Sequence, residues 1–430
     1  MKDTISIRQV GVLMILCIFA NKILLLPSLM YETSKADSLW IILFLFAIDL
    51  LVLTLIFKLK TIYPTTKLYD ILQNKIGKVL TKIIYLILLV FFMFKALLVF
   101  SVTYVYFKHQ IYKQDLIWIA LISGLPVINH AVMCGVRGFS RTMELFIGIV
   151  LTGFIACLAF SLFTPISMPY FFVSQGKDLL TSCYRHLFSF GDYIFLLLII
   201  DKIEFKRGDF NRIYKYAFSG IILTLLLFFL FYSKYQVTAF MHNNALADLL
   251  VFSVEFNAVG RLDIIAMLTI LFITLFQLEI FCYGFCESIR GIFPLLKKFY
   301  ATITFDIIFG LLYYIFIGKF EIMVASASHY LPILAIVVNY AFPILILIIY
   351  LIDMRKGKKN RENVYISQDE ISKSNQNTNL SSDESNVALS NQDKASSEHG
   401  DKQKENSLGE NAVILKNESG LKGGEYEIKD

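Results

Sequence analysis

Several ionisable side chains lie inside long apolar stretches of this sequence, among them Lys22, Asp49, Lys95, Asp192 and Glu279. A charge at membrane depth costs roughly 2.5 to 3.5 kcal/mol on insertion scales, so such a group usually faces a cavity or a partner of opposite charge. Lys22 and Asp192 are therefore predicted to line a pocket, to form a structural ion pair or to snorkel to the interface. For Asp49 a structural role is favoured, and Asp49, Lys95 and Glu279 could form buried pairs.

Two of these residues coincide with signals that interrupt a helix. Gly191 precedes Asp192 within the apolar segment 185–201, and Pro27 follows Lys22 in the first apolar segment. Glycine lowers the helix preference of its turn, and a membrane helix that opens there exposes backbone groups that only a ligand, water or packed protein can satisfy. The break at Gly191 is predicted to be half of a small-molecule site. The alternative is a kinked but closed helix with Asp192 facing water.

The composition identifies the class of protein. Hydrophobic residues make up 57% of the 430 residues, well above the share in ordinary soluble domains. Apolar stretches of spanning length predict ten transmembrane helices, at 8–30, 38–57, 80–107, 115–133, 142–163, 180–201, 212–235, 262–289, 299–318 and 330–353. Residues 242–260 are predicted to form an amphipathic helix at the outer face.

Lysine and arginine are distributed unevenly between the loops. The loops at 58–82, 134–141, 202–215 and 290–298 hold six, two, five and three of them, and the other loops hold one or two each. The positive-inside rule therefore predicts that both termini are cytoplasmic. Residues 1–354 are predicted to form the transmembrane domain. Residues 355–430 are polar and are predicted to be a disordered cytoplasmic tail.

The two sets of five spans each begin with an interrupted segment. Interruptions at corresponding positions of two halves indicate an inverted-repeat transporter fold with a site near the midplane. The fold class predicted here is an all-α integral membrane protein whose ten transmembrane helices form a 5+5 inverted repeat with broken helices 1 and 6. Half-helix N-termini attract anionic groups and freed carbonyls attract cations, so an α-amino acid would suit both.

The candidate ligand-binding residues cluster on four of the predicted spans. They are Ala20, Asn21, Lys22, Lys95, Phe190, Gly191, Asp192, Tyr193, Thr274 and Gln277. For Thr274 a bond to its own i−4 carbonyl is the commoner alternative.

Other classes of function find little support in the sequence. The run Gly135–Ser140 lacks the order of a nucleophile elbow, and the six histidines show no metal-ligand spacing. No phosphate-binding loop and no nucleic-acid motif is present. The sequence therefore predicts no enzyme, no metal, no cofactor and no nucleic-acid partner.

Five short motifs resemble the endospore germination proteins, in order and with matching spacing over residues 5–355. They are Ile5-Ser-Ile-Arg-Gln9, Ile23-Leu-Leu-Leu-Pro27, Arg137-Gly-Phe-Ser-Arg-Thr-Met-Glu144, Phe188-Ser-Phe-Gly-Asp192 and Gly260-Arg-Leu-Asp263. The resemblance is to the membrane-embedded B subunit of germinant receptors, a branch of the amino acid–polyamine–organocation superfamily with a LeuT-like fold.

This resemblance implies a small-molecule germinant bound near the breaks in spans one and six. It also implies a complex with an A subunit and a C-subunit lipoprotein in the inner membrane of the spore. Three features depart from the family pattern: Ala20, Asn21 and Lys22 replace a small glycine-type position, span three is apolar at 97–100, and the tail after residue 355 is long.

Two functions from different classes follow from these patterns. The first is a receptor subunit that binds a small nutrient, for which an amino acid is favoured, and signals to partner subunits. The alternative is an H⁺- or Na⁺-coupled amino acid permease of the same superfamily. A third possibility is a subunit that permits ion release.

Overall fold

The computed structural model describes residues 3–19, 22–110, 117–163, 165–242, 244–251, 263–316, 319 and 329–355. Within these ranges the chain is helical, and the only extended pairing is a parallel bridge between Ile5 and Ile203. The helices, numbered here in chain order, are α1 Ile7–Phe19, α2 Leu26–Ser34, α3 Ser38–Ile62, α4 Leu68–Ile76, α5 Lys78–Gln110, α6 Ile117–Met133, α7 Gly135–Ser161, α8 Gly176–His186, α9 Phe195–Leu198, α10 Phe210–Tyr235, α11 Ala245–Val251, α12 Asp263–Ile292, α13 Lys298–Phe316 and α14 Leu331–Arg355.

Seven stretches of the described chain are long and apolar enough to cross a membrane. They contain α2 with α3, then α5, α7, α10, α12, α13 and α14. Three of the ten predicted spans are not among these seven. The predicted spans 8–30 and 180–201 are each interrupted, and α6, which lies in the predicted span 115–133, has only 17 residues. The chain is a multi-pass membrane protein, while the ten-helix 5+5 arrangement stays a prediction.

The long apolar helices pack through glycines that allow close approach. α12 lies along α5, and α10 lies along α1. A Cβ added at Gly284 of α12 would come within 2.9 Å of the Phe92 ring of α5, and one at Gly220 of α10 within 2.8 Å of Ile18 on α1. Small residues are what membrane helices use for such contacts. This packing fixes α1, which leads into the break that holds Lys22, and α5, which carries Lys95, inside the bundle.

The first predicted span is two helices rather than one. α1 ends at Phe19 and α2 begins at Leu26 with Pro27 at its first turn. The carbonyls of Ile23 and Leu24 in the break accept hydrogen bonds of 3.1 and 3.0 Å from the backbone N–H groups of Leu246 and Ala245. The break is therefore stabilised by α11, which supplies the partners that the helix ladder no longer provides.

α11 differs from the surface helix predicted over 242–260. Its described side chains from Ala245 to Leu250 are buried except for Asp248, which is half-buried. A helix is therefore present at the start of this stretch, but it packs inside the chain instead of having an amphipathic face; its position at the outer face of the membrane stays a prediction. Residues 356–430 of the predicted tail, 355–430, lie outside the described residues, and the disorder of the tail stays a prediction.

Candidate functional site

Asp192 lies at the centre of a buried ion cluster. Its Oδ2 accepts a hydrogen bond of 2.8 Å from Lys22 Nζ, and its Oδ1 accepts one of 2.7 Å from Lys95 Nζ. The relative exposures of Lys22, Lys95 and Asp192 are 1%, 0% and 4%. Charge-assisted hydrogen bonds are about twice as strong as neutral ones. The Lys22–Asp192–Lys95 cluster therefore joins the break in span one, the middle of α5 and the break in span six.

The break in the sixth predicted span lies where glycine was expected to open it. A 3₁₀ turn ends at Ser189, Phe190 is extended, and Gly191 has φ +81° before a second 3₁₀ turn begins at Asp192. A side chain at Gly191 would be strained by this φ, and its Cβ would come within 1.9 Å of Asn339 Oδ1 on α14. Glycine is thus required both by the backbone conformation and by the close approach of Asn339.

The backbone groups freed by this break bond to side chains from three helices. The Phe190 carbonyl accepts hydrogen bonds from Lys95 Nζ at 2.9 Å and Asn339 Nδ2 at 3.3 Å. The Gly191 N–H donates to Asp49 Oδ1 on α3 at 3.1 Å. Asn339 lies in a π-helical turn, Val337–Ala341, of α14, a feature often found at functional sites.

Aromatic rings cover both ammonium groups. The Lys22 ammonium lies 4.9 Å from the centre of the Phe190 ring, and the Lys95 ammonium lies 5.1 and 5.3 Å from the rings of Phe188 and Phe91. Cation–π contacts of this kind contribute about 2 kcal/mol when the cation is desolvated. They help to offset the cost of burying two ammonium groups beside one carboxylate.

The predicted site residues fall into three groups. In the first group, Lys22, Lys95 and Asp192 form the ion cluster, and Phe190 and Gly191 form the break beside it. Ala20 and Asn21 lie outside the described residues.

Tyr193, Gln277 and Thr274 form the third group. Tyr193 is buried next to Asp192. Gln277 Nε2 donates to the Cys17 carbonyl at the end of α1, at 3.2 Å. The Thr274 hydroxyl lies 2.9 Å from that of Thr103 on α5, which is eight residues, or about 12 Å along the helix, from Lys95. Thr274 thus joins α5 to α12 outside the ion cluster.

Sequence reasoning paired the buried charges incompletely. Lys95 bonds to Asp192, whereas Asp49 and Glu279 had been considered as its partners. Asp49 supports the break, which agrees with a structural role. Asn339 was missed altogether, although a polar amide inside the apolar segment 330–353 is the same signal that identified Lys22.

Three buried polar atoms around the cluster have no hydrogen-bond partner within the described part of the chain. They are the Tyr193 hydroxyl, Asn339 Oδ1 and Gln277 Oε1. A buried polar group without a partner costs about 1–3 kcal/mol. Such groups are therefore candidates for contact with a ligand.

The N-terminal segment is attached to the chain that follows span six. The Ile5 N–H donates to the Lys202 carbonyl and the Glu204 N–H donates to the Ile5 carbonyl, both at 2.9 Å. Asp3 accepts the Arg137 N–H at 3.2 Å. Arg8 pairs with Glu144. The motif around Arg137 and Glu144 thus takes part in a network that orders the N-terminal segment.

A cavity of about 390 Å³ adjoins this network. Basic and acidic side chains line it together, including Lys67, Lys202, Arg290, Asp70, Asp201 and Glu287. Lys202 Nζ lies 3.3 Å from Glu287 Oε1, and Arg290 lies 3.1 Å from the same oxygen. The cavity therefore lies at the end of the sixth predicted span, where its last turn, Ile200–Lys202, meets α12.

A family model described as "Spore germination protein" matches residues 4–321 of the chain. The match includes both interrupted segments and the three residues of the ion cluster. No curated protein matches the chain.

Proposed function

Because the chain belongs to the spore germination protein family, we propose that it is the membrane subunit of a germinant receptor. In this role it binds a small nutrient at the breaks of spans one and six. It passes the signal to an A subunit and a C-subunit lipoprotein and so starts germination. The expected location is the inner membrane of the spore, with both termini cytoplasmic and ten spans in a 5+5 repeat.

The observation that carries the proposal is the meeting of two broken segments at one buried point. Lys22 and Asp192 come from breaks 170 residues apart and bond directly. Broken helices expose backbone groups that recognise small molecules in transporter folds. The unpartnered atoms on Tyr193, Asn339 and Gln277 add hydrogen-bonding capacity beside them.

Tyr193→Phe tests the binding role with little risk to the fold. The substitution removes a hydroxyl that makes no hydrogen bond within the described chain, so stability should hold. If the hydroxyl contacts the nutrient, its loss costs about 1–3 kcal/mol, which corresponds to about a 5- to 150-fold rise in the nutrient concentration needed for half-maximal germination. Dose–response curves of spores carrying the variant measure this rise.

Tyr232→Phe is the matched control. The Tyr232 hydroxyl accepts a bond from Ser38 at 2.7 Å and donates to the Pro27 carbonyl at 3.0 Å, away from the ion cluster. Its loss should lower stability and leave the half-maximal concentration unchanged. An unchanged dose–response curve for Tyr193→Phe, with the variant present at wild-type level, would count against a nutrient site at the breaks.

The alternative function is a cation-coupled amino acid permease. The cavity lined by Asp70, Asp201 and Glu287 favours it, because such acidic groups near the end of a broken span could serve an ion pathway. Reconstituted vesicles distinguish the two functions. Substrate uptake that depends on an ion gradient and disappears in Asp192→Asn would support the permease, and nutrient-dependent germination without uptake would support the receptor.

A further inference from the structure

The carboxylate at the centre of the site is already paired by the protein itself. Both carboxylate oxygens of Asp192 hold an ammonium group, and Asp49 accepts the Gly191 N–H. Lys22 and Lys95 both pair with Asp192, one at each oxygen. No carboxylate oxygen of Asp192 is left for the ammonium group of a ligand.

The contacts of Lys22 are those that usually hold a ligand ammonium. Its Nζ bonds to a carboxylate oxygen at 2.8 Å and lies 4.9 Å from the centre of an aromatic ring, and both partners, Asp192 and Phe190, belong to the span-six break. Carboxylates and aromatic faces together are a common means of binding amines. Lys22 itself extends from the span-one break.

We infer that Lys22 is a tethered ammonium that fills the cation position of the site, and that the nutrient is therefore an uncharged hydrogen-bonding molecule, such as a sugar, polyol or amide. The inference rests on the proposed nutrient-binding function. It replaces the amino acid that the sequence favoured.

The remaining polar atoms support an uncharged ligand. A ligand ammonium would add a third cation beside Asp192, whose two oxygens already hold Lys22 and Lys95. A ligand carboxylate would meet the amide oxygens of Asn339 and Gln277, which can only accept hydrogen bonds. Either arrangement is costly in a buried site. Three of the buried atoms without a partner in the described chain are the hydroxyl of Tyr193 and the amide oxygens of Asn339 and Gln277. These neutral groups pair well with hydroxyl and amide groups.

Removal of the tethered ammonium should create a site for a free one. Lys22→Ala deletes the equivalent of propylammonium and vacates Asp192 Oδ2. The full-length variant, purified in lipid nanodiscs, should unfold at a lower temperature than the wild type. Propylammonium chloride should then restore most of the difference in a saturable manner, whereas tetramethylammonium chloride at equal ionic strength should not.

Wild type and the double variant Lys22→Ala/Asp192→Asn are the controls. Neither should show a saturable shift with propylammonium, because the position is filled in the first and lacks its carboxylate in the second. If Lys22→Ala does not accumulate, Lys22→Ser is purified with propylammonium present throughout and tested after dialysis. Absence of saturable stabilisation of the single variant, or equal stabilisation of the wild type, overturns the inference.

The ligand class is tested on the wild type. A mixture of the twenty amino acids should give no saturable shift of the unfolding temperature and should not compete with glucose or propionamide for the site. A saturable shift with an amino acid that disappears in Lys22→Ala overturns the assignment. Failure of the proposed function appears elsewhere: spores that lack this chain and still respond to every nutrient would refute the receptor role, while the propylammonium result would stand.

Discussion

Gly191→Ala is the change whose effect follows most directly from the geometry of the break. The new methyl group would lie within 1.9 Å of Asn339 Oδ1, and the backbone would keep a φ near +81°. The left-handed conformation costs a non-glycine residue about 1–2 kcal/mol. Forcing the overpacked Asn339 away costs about 1–3 kcal/mol, and its lost bond to the Phe190 carbonyl costs about 0.5–1.5 kcal/mol.

These contributions add to about 2.5 to 6.5 kcal/mol of lost unfolding free energy. A double-mutant cycle with Asn339→Ala separates them. With Asn339 shortened, Gly191→Ala should cost only the conformational part, about 1–2 kcal/mol. Denaturant unfolding of the full-length protein in mixed micelles, followed by circular dichroism, measures the four free energies.

Gly148→Ala is the matched control, because nothing lies within 4 Å of a Cβ added at this helical glycine of α7. It should be neutral or stabilise the protein by about 0.5–1 kcal/mol. Equal costs of Gly191→Ala with and without Asn339 would refute the account of this break as a close approach between span six and α14.

Three further predictions concern other contacts. Asp192→Asn should lower the unfolding free energy by at least about 3–5 kcal/mol, because it leaves two buried ammonium groups without their carboxylate. Asp192→Leu combined with Lys22→Met and Lys95→Met should recover much of the protein level in membranes. No recovery would contradict the ion-pair explanation. Asp37→Ala should speed hydrogen exchange at the backbone amides of Phe172 and Ser174. Asp37 accepts hydrogen bonds from both N–H groups, at 2.5 and 2.8 Å, and each such bond contributes about 1.5–3 kcal/mol. With Ser38→Ala as the neighbouring control, unchanged exchange at these two amides would disprove the role of Asp37 in holding this segment. Burial raises the pKa of the Asp248 carboxyl, which lies outside the candidate spans. Since its folded pKa exceeds its unfolded pKa, stability should fall as the pH rises from the unfolded pKa through the folded pKa. The unfolding midpoint should therefore increase as the pH is lowered toward about 3.9, the ordinary pKa of an aspartate. Asp248→Asn in a His242→Gln background should remove this change, which His242→Gln alone retains.

The sequence predicted the interruptions because their signals are local. Gly191 and Pro27 disfavour a continuous helix whatever the positions of the surrounding helices, and both breaks are present. The presence of Lys22 and Asp192 at the two breaks also pointed to an ion pair among the possible outcomes, and they form one.

The sequence could not predict which further residues meet the breaks. Whether Lys95 faces Asp192 depends on the rotation of α5 about its axis, which packing against α12 determines. Asn339 reaches Gly191 only because α14 passes beside the break with a π-helical turn. The burial of α11 likewise follows from its bonds to Ile23 and Leu24, a contact between segments more than 200 residues apart.

The short parallel bridge between Ile5 and Ile203 has a mechanical consequence. It connects the start of α1 to the stretch that follows α9. The N-terminal piece of span one and the C-terminal piece of span six therefore form a single unit. Tilting one piece must carry the other along. The breaks in spans one and six then act as two coupled hinges. Any rearrangement of this protein that keeps the bridge intact has to bend at both breaks together.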